Sequence, residues 1–478
     1  MDPDIFPSLH SVTKQLRQQS LSLKNRLQSI VHDAKFVESL DLPVLVPNER
    51  CGLWYVPPQK RTDSAYFKST DGHMNEWAFS FRRLNIHLLP LLQKTETIAI
   101  VDSTRRGKLM PDALLKTIPI WCAVISTIMA KRGFFELDNV LYTPRSMVSE
   151  SEHNEIAKKI NHFVLEAERL HLFDNVELDK PIVPCWIYPD NEGEGRFGGR
   201  FEGNFENQNS SSYRIQCVTA SRKASGNSYA TAVHDGKSIS WNYVQGAADD
   251  HELWISNEVC EGKLNADLFW KILDKNKSQF IDSETGYLYD WLTDEEMVKR
   301  LDEAYFNMES DSLTSPISDI TFIENDEYDT GIALGVIKEP LLVQSLQKRF
   351  NQVIILSEKE VLADDKAVKV HHYKLQSSKK GSKQLRAILP LLMGLIDITN
   401  TNKVLIACDT GTDLGPGVAL AILCKNFDSD WKQNCPRYID KDTVRRHSAA
   451  LAHVRRINPS RNTLQSINTY LMGTAGPA

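Results

Sequence analysis

Two short polar loops in this chain carry residues suited to holding an anion. The first, VDSTRRGK at 101–108, follows the apolar run TIAIV. It offers hydroxyls from Ser103 and Thr104, cations from Arg105, Arg106 and Lys108, and a relaxed turn at Gly107. The second, CDTGTDLG, follows KVLIA and leads into an apolar run at helical spacing. Its members are Cys408, Asp409, Thr410, Gly411, Thr412, Asp413, Leu414 and Gly415. A loop between a parallel strand and a helix N-terminus points backbone N–H groups outward, where the helix dipole favours negative charge. Glycines let the backbone come close to a phosphate. A third corner, Ser-Arg-Lys at 221–223, follows the strand-like YRIQCVTA and makes Arg222 a further candidate.

A cysteine at the start of such a loop raises the question of phosphatase chemistry. That chemistry uses His-Cys, five residues, then Arg: a thiolate attacks phosphorus and the guanidinium clamps the phosphoryl oxygens. Here Ala407 stands at the His position and Leu414 at the Arg position. Asp409 and Asp413 add negative charge, which opposes a thiolate and weakens dianion binding. Phosphatase catalysis is disfavoured, while phosphate binding through main-chain N–H groups remains open. Cys217 and Arg222 are one residue too close for the same spacing.

YVQGAADDHELW, at 243–254, groups Asp249, Asp250, His251 and Glu252. Paired carboxylates can hold Mg²⁺ beside a pyrophosphate, and a His or carboxylate can take a proton from an attacking hydroxyl. Basic pairs suit a phosphate backbone. Arg82 and Arg83 sit among aromatics in WAFSFRRLNIHLL, and Arg445-Arg446 and Arg455-Arg456 lie ten residues apart, which on one helix brings both pairs near one face. Each of these has an ordinary alternative: a plain strand–turn–helix connection, a basic or acidic surface turn, a solvated helix face.

The elements that must position these residues read as α/β. Residues 11–40 predict one or two amphipathic helices, and 97–101 a buried strand with a helix after it, interrupted near Pro119. Residues 152–176 read as helix and 213–221 as strand, while 189–212 is Gly/Asn/Ser-rich and loop-like. From about 340 the pattern alternates: strand 353–358, helix 382–398, strand 403–407, helix from Gly415, then one or two helices over 440–472. That alternation predicts a parallel sheet. The stretch 303–330 is acidic and poor in long apolar runs, which suggests a boundary at about 315–340 and gives an N-terminal domain over 1–335 and a C-terminal one over 336–478. The strand–loop–helix pattern at 98–115 raises the possibility of a second such unit in the N-terminal part.

With 478 residues, 41% hydrophobic and 25% charged, the composition is that of a globular protein. No uninterrupted apolar run approaches the roughly 20 residues of a membrane span. The acidic N-terminus lacks the apolar core of a signal peptide. Eight scattered cysteines form no CxxC pair, so neither a zinc site nor a disulfide framework is expected, and the cytoplasm is. The net charge of −6 hides uneven ends: 1–150 and 440–478 each carry +4, and the middle −14. Two basic ends fit a polyanion surface.

Several stretches resemble one family, the fungal and plant initiator tRNA 2′-O-ribosylphosphate transferases. They are ERCGLWYVPP (49–58), AYFKSTDGHMNEWAFSFRRLNIHLLP (65–90), VDSTRRGKLMPDAL (101–114), PIWCAV (119–124), YVQGAADDHELW, ACDTGTDLGPGVALAIL (407–423) and INPSRNTLQSINTYLM (457–472). The resemblance implies transfer of a 5-phosphoribosyl group from phosphoribosyl pyrophosphate to the 2′-OH of adenosine 64 in the T-stem of initiator methionine tRNA, which excludes that tRNA from elongation. It implies a pentosyltransferase using Mg²⁺, with a C-terminal dual-specificity-phosphatase-like domain. Ser103 to Lys108, Cys408 to Gly415 and Arg222 would then face the donor. Asp250 or His251 would take the proton, and Asp249 and Glu252 would lie by the metal. Lys68, Arg82, Arg83, Arg445, Arg446, Arg455 and Arg456 would meet the tRNA. The familiar phosphoribosyltransferase fingerprint, two acids before a Thr-Gly loop, is absent. The rival readings are a non-catalytic phosphate- or tRNA-binding module and a cysteine phosphatase.

Overall fold

A computed structural model describes residues 21–105, 107–190, 198–203, 211–224, 228–234, 236–248, 259–310, 317–337, 341–342, 349–359, 361–362, 369–396, 403–436 and 438–473. The chain forms two compact units. The first comprises residues 1–79, 90–164 and 177–311, and the second 80–89, 165–176 and 312–478. The boundary expected at 335/336 falls inside a strand of the second unit.

The first unit is built on a five-stranded sheet of β1 (Leu45–Pro47), β2 (Thr97–Asp102), β3 (Ile182–Pro189), β4 (Gly199–Glu202) and β5 (Tyr213–Thr219), in spatial order β1-β2-β5-β3-β4. All neighbours pair parallel except β3 and β4. Ile98, Ile100, Ile215 and Val218 are fully buried, the apolar runs that parallel strands covered on both faces require. Helix α1, Leu23–Ser39, starts at Ser22, whose hydroxyl accepts the Asn25 N–H at 3.2 Å. Residues 11–20 of the expected helix lie outside the described residues. The helical stretch Ala113–Lys131 has the length and hydropathy of a membrane span, but 89% of it is buried in the protein. It begins as a π-helix over Ala113–Thr117 and continues as α2, Ile118–Lys131. Pro119 comes directly after the π-helical turn, as the second residue of α2. Helix α3 spans Glu150–Arg169, and the hairpin of β6 (Ser228–His234) and β7 (Lys237–Tyr243) follows β5.

The second unit has a sheet of β8 (Ile317–Glu324), β9 (Asp329–Ile337), β10 (Gln352–Leu356), β11 (Lys369–Tyr373) and β12 (Val404–Cys408). The spatial order is β11-β10-β12-β9-β8, parallel except for the β8–β9 pair. Both units thus have four parallel strands and one antiparallel edge strand. By pairing, β5 and β12 are the two central strands. Every residue of β12 is buried. Helices α4 (Lys379–Leu395), α5 (Leu414–Asn426), α6 (Lys441–Val454) and α7 (Arg461–Gly473) complete the unit. Helix α5 is buried from Leu414 to Cys424, which explains its apolar circumference. Seven of the eight cysteines are buried as free thiols, and only Cys435 is exposed.

Candidate functional site

The central strand β12 ends on Cys408, and the loop after it wraps the sulfur. Gly411 and Gly415 direct N–H groups at Sγ, with the Thr410 hydroxyl at 4.0 Å. Gly411 sits at φ +66, and a Cβ there would come within 2.4 Å of Val336 Cγ2, so only glycine fits. Burial pushes the Cys408 thiol up, and the two glycine N–H groups pull back only part of that. The sulfur is therefore a neutral thiol at physiological pH. Leu414, fully buried, occupies the expected arginine position with apolar packing.

The two acids of this loop brace it instead of crowding an anion. Asp409 accepts the Ser357 hydroxyl at 2.6 Å and lies 4.0 Å from Lys359 Nζ. Asp413 accepts the Ser460 N–H at 2.8 Å and the Thr463 hydroxyl at 2.6 Å, tying the loop to the start of α7. The Thr412 carbonyl accepts the Asn458 N–H at 2.8 Å, and Arg83 Nε donates to Asn458 Oδ1 at 3.0 Å. Arg83 thus stands one residue behind the loop.

Arg455 corrects one expectation. Helix α6 ends at Val454, so the Arg445 and Arg455 pairs do not share a helical face. The Arg455 guanidinium turns inward, 8% exposed, donating to Asp319 Oδ2 at 2.6 Å and the Thr321 hydroxyl at 3.1 Å. Its Nη2 lies 2.9 Å from where a Gly411 Cβ would be. Burial lowers the Arg456 guanidinium to about 10.

In the first unit the end of β2 is organised by Asp102, a residue the sequence reading passed over. Its fully buried carboxylate accepts Asn48 Nδ2 at 2.8 Å, Arg50 Nη2 at 3.1 Å, the Cys51 thiol at 2.9 Å and the Ser103 N–H at 2.8 Å. The 48–52 turn is pressed so closely on β2 that a Cβ on Gly52 would overlap the Val101 carbonyl. Ser103 and Thr104, expected to present hydroxyls to an anion, are buried, and Ser103 Oγ donates to Ser221 Oγ at 2.7 Å. These hydroxyls join two strand ends. The outward side chains of the loop are Arg105 and Lys108, and Lys108 pairs with Asp112 at 3.1 Å. Arg106 lies outside the described residues.

Gln245 ties this loop to the corner after β5. Its Oε1 accepts N–H groups from Gly107 at 3.0 Å and Ala224 at 2.9 Å, and its Nε2 donates to the Lys108 carbonyl at 2.6 Å. Gly246, at φ +62, lies against the Thr104 carbonyl. The corner itself holds Thr219, Ser221 and Arg222, at the central-strand position that Cys408 and its loop hold in the second unit. Arg222 donates its N–H to the Tyr243 hydroxyl at 3.0 Å and lays its guanidinium 4.6 Å from the Tyr243 ring centre. Beneath it, Tyr243 donates to Asp33 Oδ1 at 2.8 Å. Burial raises the Asp33 carboxyl well above the usual range. Beside it, burial holds the His32 imidazole down to about 4, with Arg222 and Lys35 adding to the effect. Three buried polar atoms here lack a hydrogen-bond partner: Thr219 Oγ1, Arg222 Nε and Asp33 Oδ2. That is an incomplete polar site at the carboxyl end of a parallel sheet, where ligands of such sheets bind. Because β5 runs into a hairpin, this corner has no helix N-terminus, unlike the Cys408 loop.

Asp249, Asp250, His251 and Glu252 lie outside the described residues, as do 191–197 and 204–210 of the loop-like segment. Among the described residues no three His, Cys, Asp or Glu side chains group closely enough to hold a metal. Lys68 is exposed, and Arg82 and Arg445 both line one cavity of the second unit.

Sequence comparison assigns both halves of the chain. Residues 16–294 match the family model described as "Rit1 N-terminal domain", and residues 369–471 match "Rit1 DUSP-like domain". The chain belongs to the Rit1 family. A relative from Saccharomyces cerevisiae, "tRNA A64-2'-O-ribosylphosphate transferase", is 36% identical over 99% of this chain and 96% of its own length. An uncharacterized protein of Schizosaccharomyces pombe is 38% identical over 56% of each chain. The C-terminal domain is thus dual-specificity-phosphatase-like, as the resemblance implied, on the parallel α/β sheet that the alternating pattern predicted. The solved phosphatase domain of Chaetomium thermophilum Yvh1 aligns over 34% of this chain and all of its own, at 15% identity and a TM-score of 0.24.

Proposed function

We propose that this chain is an initiator tRNA 2′-O-ribosylphosphate transferase. The observation that carries the reading is the 36% identity, over 99% of the chain, to the yeast protein named for that reaction at A64. In the reaction the tRNA 2′-OH attacks C1′ of phosphoribosyl pyrophosphate. The new bond is C1′–O2′, the C1′–pyrophosphate bond breaks, and the hydroxyl proton passes to a base. The transition state has oxocarbenium character, so the protein contributes positioning and charge stabilisation.

The residues support an anionic donor. Arg105, Lys108 and Arg222 flank the carboxyl end of the first sheet, and the unpartnered Arg222 Nε and Thr219 Oγ1 are donors without an acceptor. The Cys408 loop supplies a main-chain cradle closed by a neutral thiol, which suits binding and not phosphoryl chemistry. Asp249 and Glu252 would hold a Mg²⁺ bound with the donor, and that ion would neutralise charge on the pyrophosphate. Asp250 or His251 is the proposed base.

The test incubates the protein with Mg²⁺, 5-phosphate-labelled phosphoribosyl pyrophosphate, and unmodified initiator or elongator methionine tRNA. Label should enter initiator tRNA alone and fall at least tenfold with Arg222→Ala. Label in neither tRNA at saturating donor rejects the transferase reading.

A further inference from the structure

The second unit contains a cavity of about 580 Å³ that shares no lining residue with the Cys408 loop. It opens between α6, α7 and the segment Ser80–Arg82. Its charge is one-sided: Arg82, Lys441, Arg445 and Arg461 line it, with no Asp or Glu. Asp442, next to Lys441 in the chain, is already shared by two arginines: it accepts both Arg445 Nη1 at 3.0 Å and Arg169 Nη1 at 2.7 Å. Lys441 and Arg461 make no ion pair among the described residues. Two of the four cations that line the opening, Lys441 and Arg461, are thus left without a counter-charge among the described residues, which favours an anion there.

The remaining lining is not that of a simple phosphate site. Phe81, Val444 and Leu464 give it an apolar part. Asn468 adds a carboxamide whose Oδ1 is buried without a partner. A buried acceptor without a donor is costly and awaits an N–H from a ligand. Cations for a phosphate, an aromatic surface for a flat ring and a carboxamide for its polar edge are the features of an unstacked nucleotide site.

We infer that this cavity binds a single-stranded nucleotide of the RNA substrate, its phosphate among Arg82, Lys441, Arg445 and Arg461 and its base against Phe81 and Asn468. The inference rests on the proposed tRNA substrate but not on the transfer chemistry. It separates RNA capture from donor binding, giving each its own cationic site.

The test is binding of a short single-stranded oligonucleotide, its blunt duplex and full tRNA to the intact protein at several salt concentrations. Lys441 and Arg461 are exposed, so their loss leaves the core untouched. Lys441→Ala and Arg461→Ala should each weaken single-strand and tRNA binding about five- to tenfold and lower the salt slope by roughly one. Thr469→Glu, on the exposed rim, should weaken them more than tenfold. Asn468→Leu should weaken them severalfold without changing the slope, because no charge is lost. Wild-type affinity and slope in Lys441→Ala/Arg461→Ala overturns the inference, as does stronger retention of the duplex than of the single strand. Displacement of the oligonucleotide by phosphoribosyl pyrophosphate overturns it too, assigning the cavity to the donor. Transfer is measured in parallel. A wild-type protein that binds RNA through these residues yet transfers no label sinks the transferase reading alone, whereas transfer with variants of unchanged RNA affinity sinks this one alone.

Discussion

At the scale of single residues, the Cys408 sulfur separates two chemistries that share a loop. A nucleophilic cysteine needs a lowered pKa, a nearby cation and a clamp for the phosphoryl oxygens. Here burial raises the thiol, Leu414 replaces the clamp, and Arg455 is committed to Asp319 and Thr321. Cys408→Ser should therefore leave transfer within about twofold of wild type, and both proteins should be inert toward an aryl phosphate. Measurable hydrolysis abolished by the substitution would restore the phosphatase reading. Asp102 gives a second prediction. Removing one partner of a buried ion pair costs about 3 kcal/mol or more, so Arg50→Ala should lower the urea midpoint of unfolding clearly. Arg50→Lys should not rescue it, because one ammonium cannot reproduce contacts from Nε and Nη2 to both carboxylate oxygens. His32 makes the third. Its folded pKa of about 4 lies below the ordinary 6.5. Between those values the unfolded chain takes up a proton that the native state refuses. Stability therefore falls as pH drops from 6.5 toward 4, by roughly 3 kcal/mol at the acid end. His32→Gln should flatten that part of a Tm-against-pH curve, and an unchanged slope would show that other groups dominate acid unfolding.

At the scale of elements, Gly246 shows how one turn positions a loop of the site. Its φ of +62 and its contact with the Thr104 carbonyl leave no room for a methyl group, since a Cβ would sit 2.4 Å from that oxygen. Gly246→Ala should cost at least about 1 kcal/mol in stability. It should also raise the KM for the donor, because the displaced 104–108 loop carries Arg105 and Lys108. A KM unchanged within error would detach that loop from the donor. The elements themselves were readable from the sequence where apolar runs were long. The strands at 97–101, 213–221, 353–358 and 403–407 appear within two residues of their expected limits, because a buried parallel strand writes its burial on every residue. What joins them was not readable. That Ser103 meets Ser221, and that Gln245 bridges 107 and 224, depends on the β2–β5 register, which no local pattern encodes. Asp102 looked like the first polar residue after a strand. Its role became visible only once Asn48, Arg50 and Cys51 were brought across from the end of β1.

At the scale of the whole molecule, the sequence conveyed two halves and a phosphatase-like second half, but not the interleaving of the chain between them. Segments 80–89 and 165–176 join the second unit although they lie within the first half of the sequence. This explains why Arg82 and Arg83 keep company with α6, α7 and Asn458 and not with their sequence neighbours. Short segments of this kind contain too few residues to impose a periodicity of their own. The distribution of thiols has a practical reach beyond function. Seven sulfurs are sealed inside and one, on Cys435, faces solvent. The native protein should accept one maleimide dye per chain with no engineering, and the Cys435→Ser variant should accept none. Each additional label that appears on warming or in denaturant would then mark the opening of a particular part of the core: the first unit for Cys51, Cys122, Cys185, Cys217 and Cys260, the second for Cys408 and Cys424. Mass spectrometry of the labelled peptides would turn these eight atoms into an internal record of which unit comes apart first.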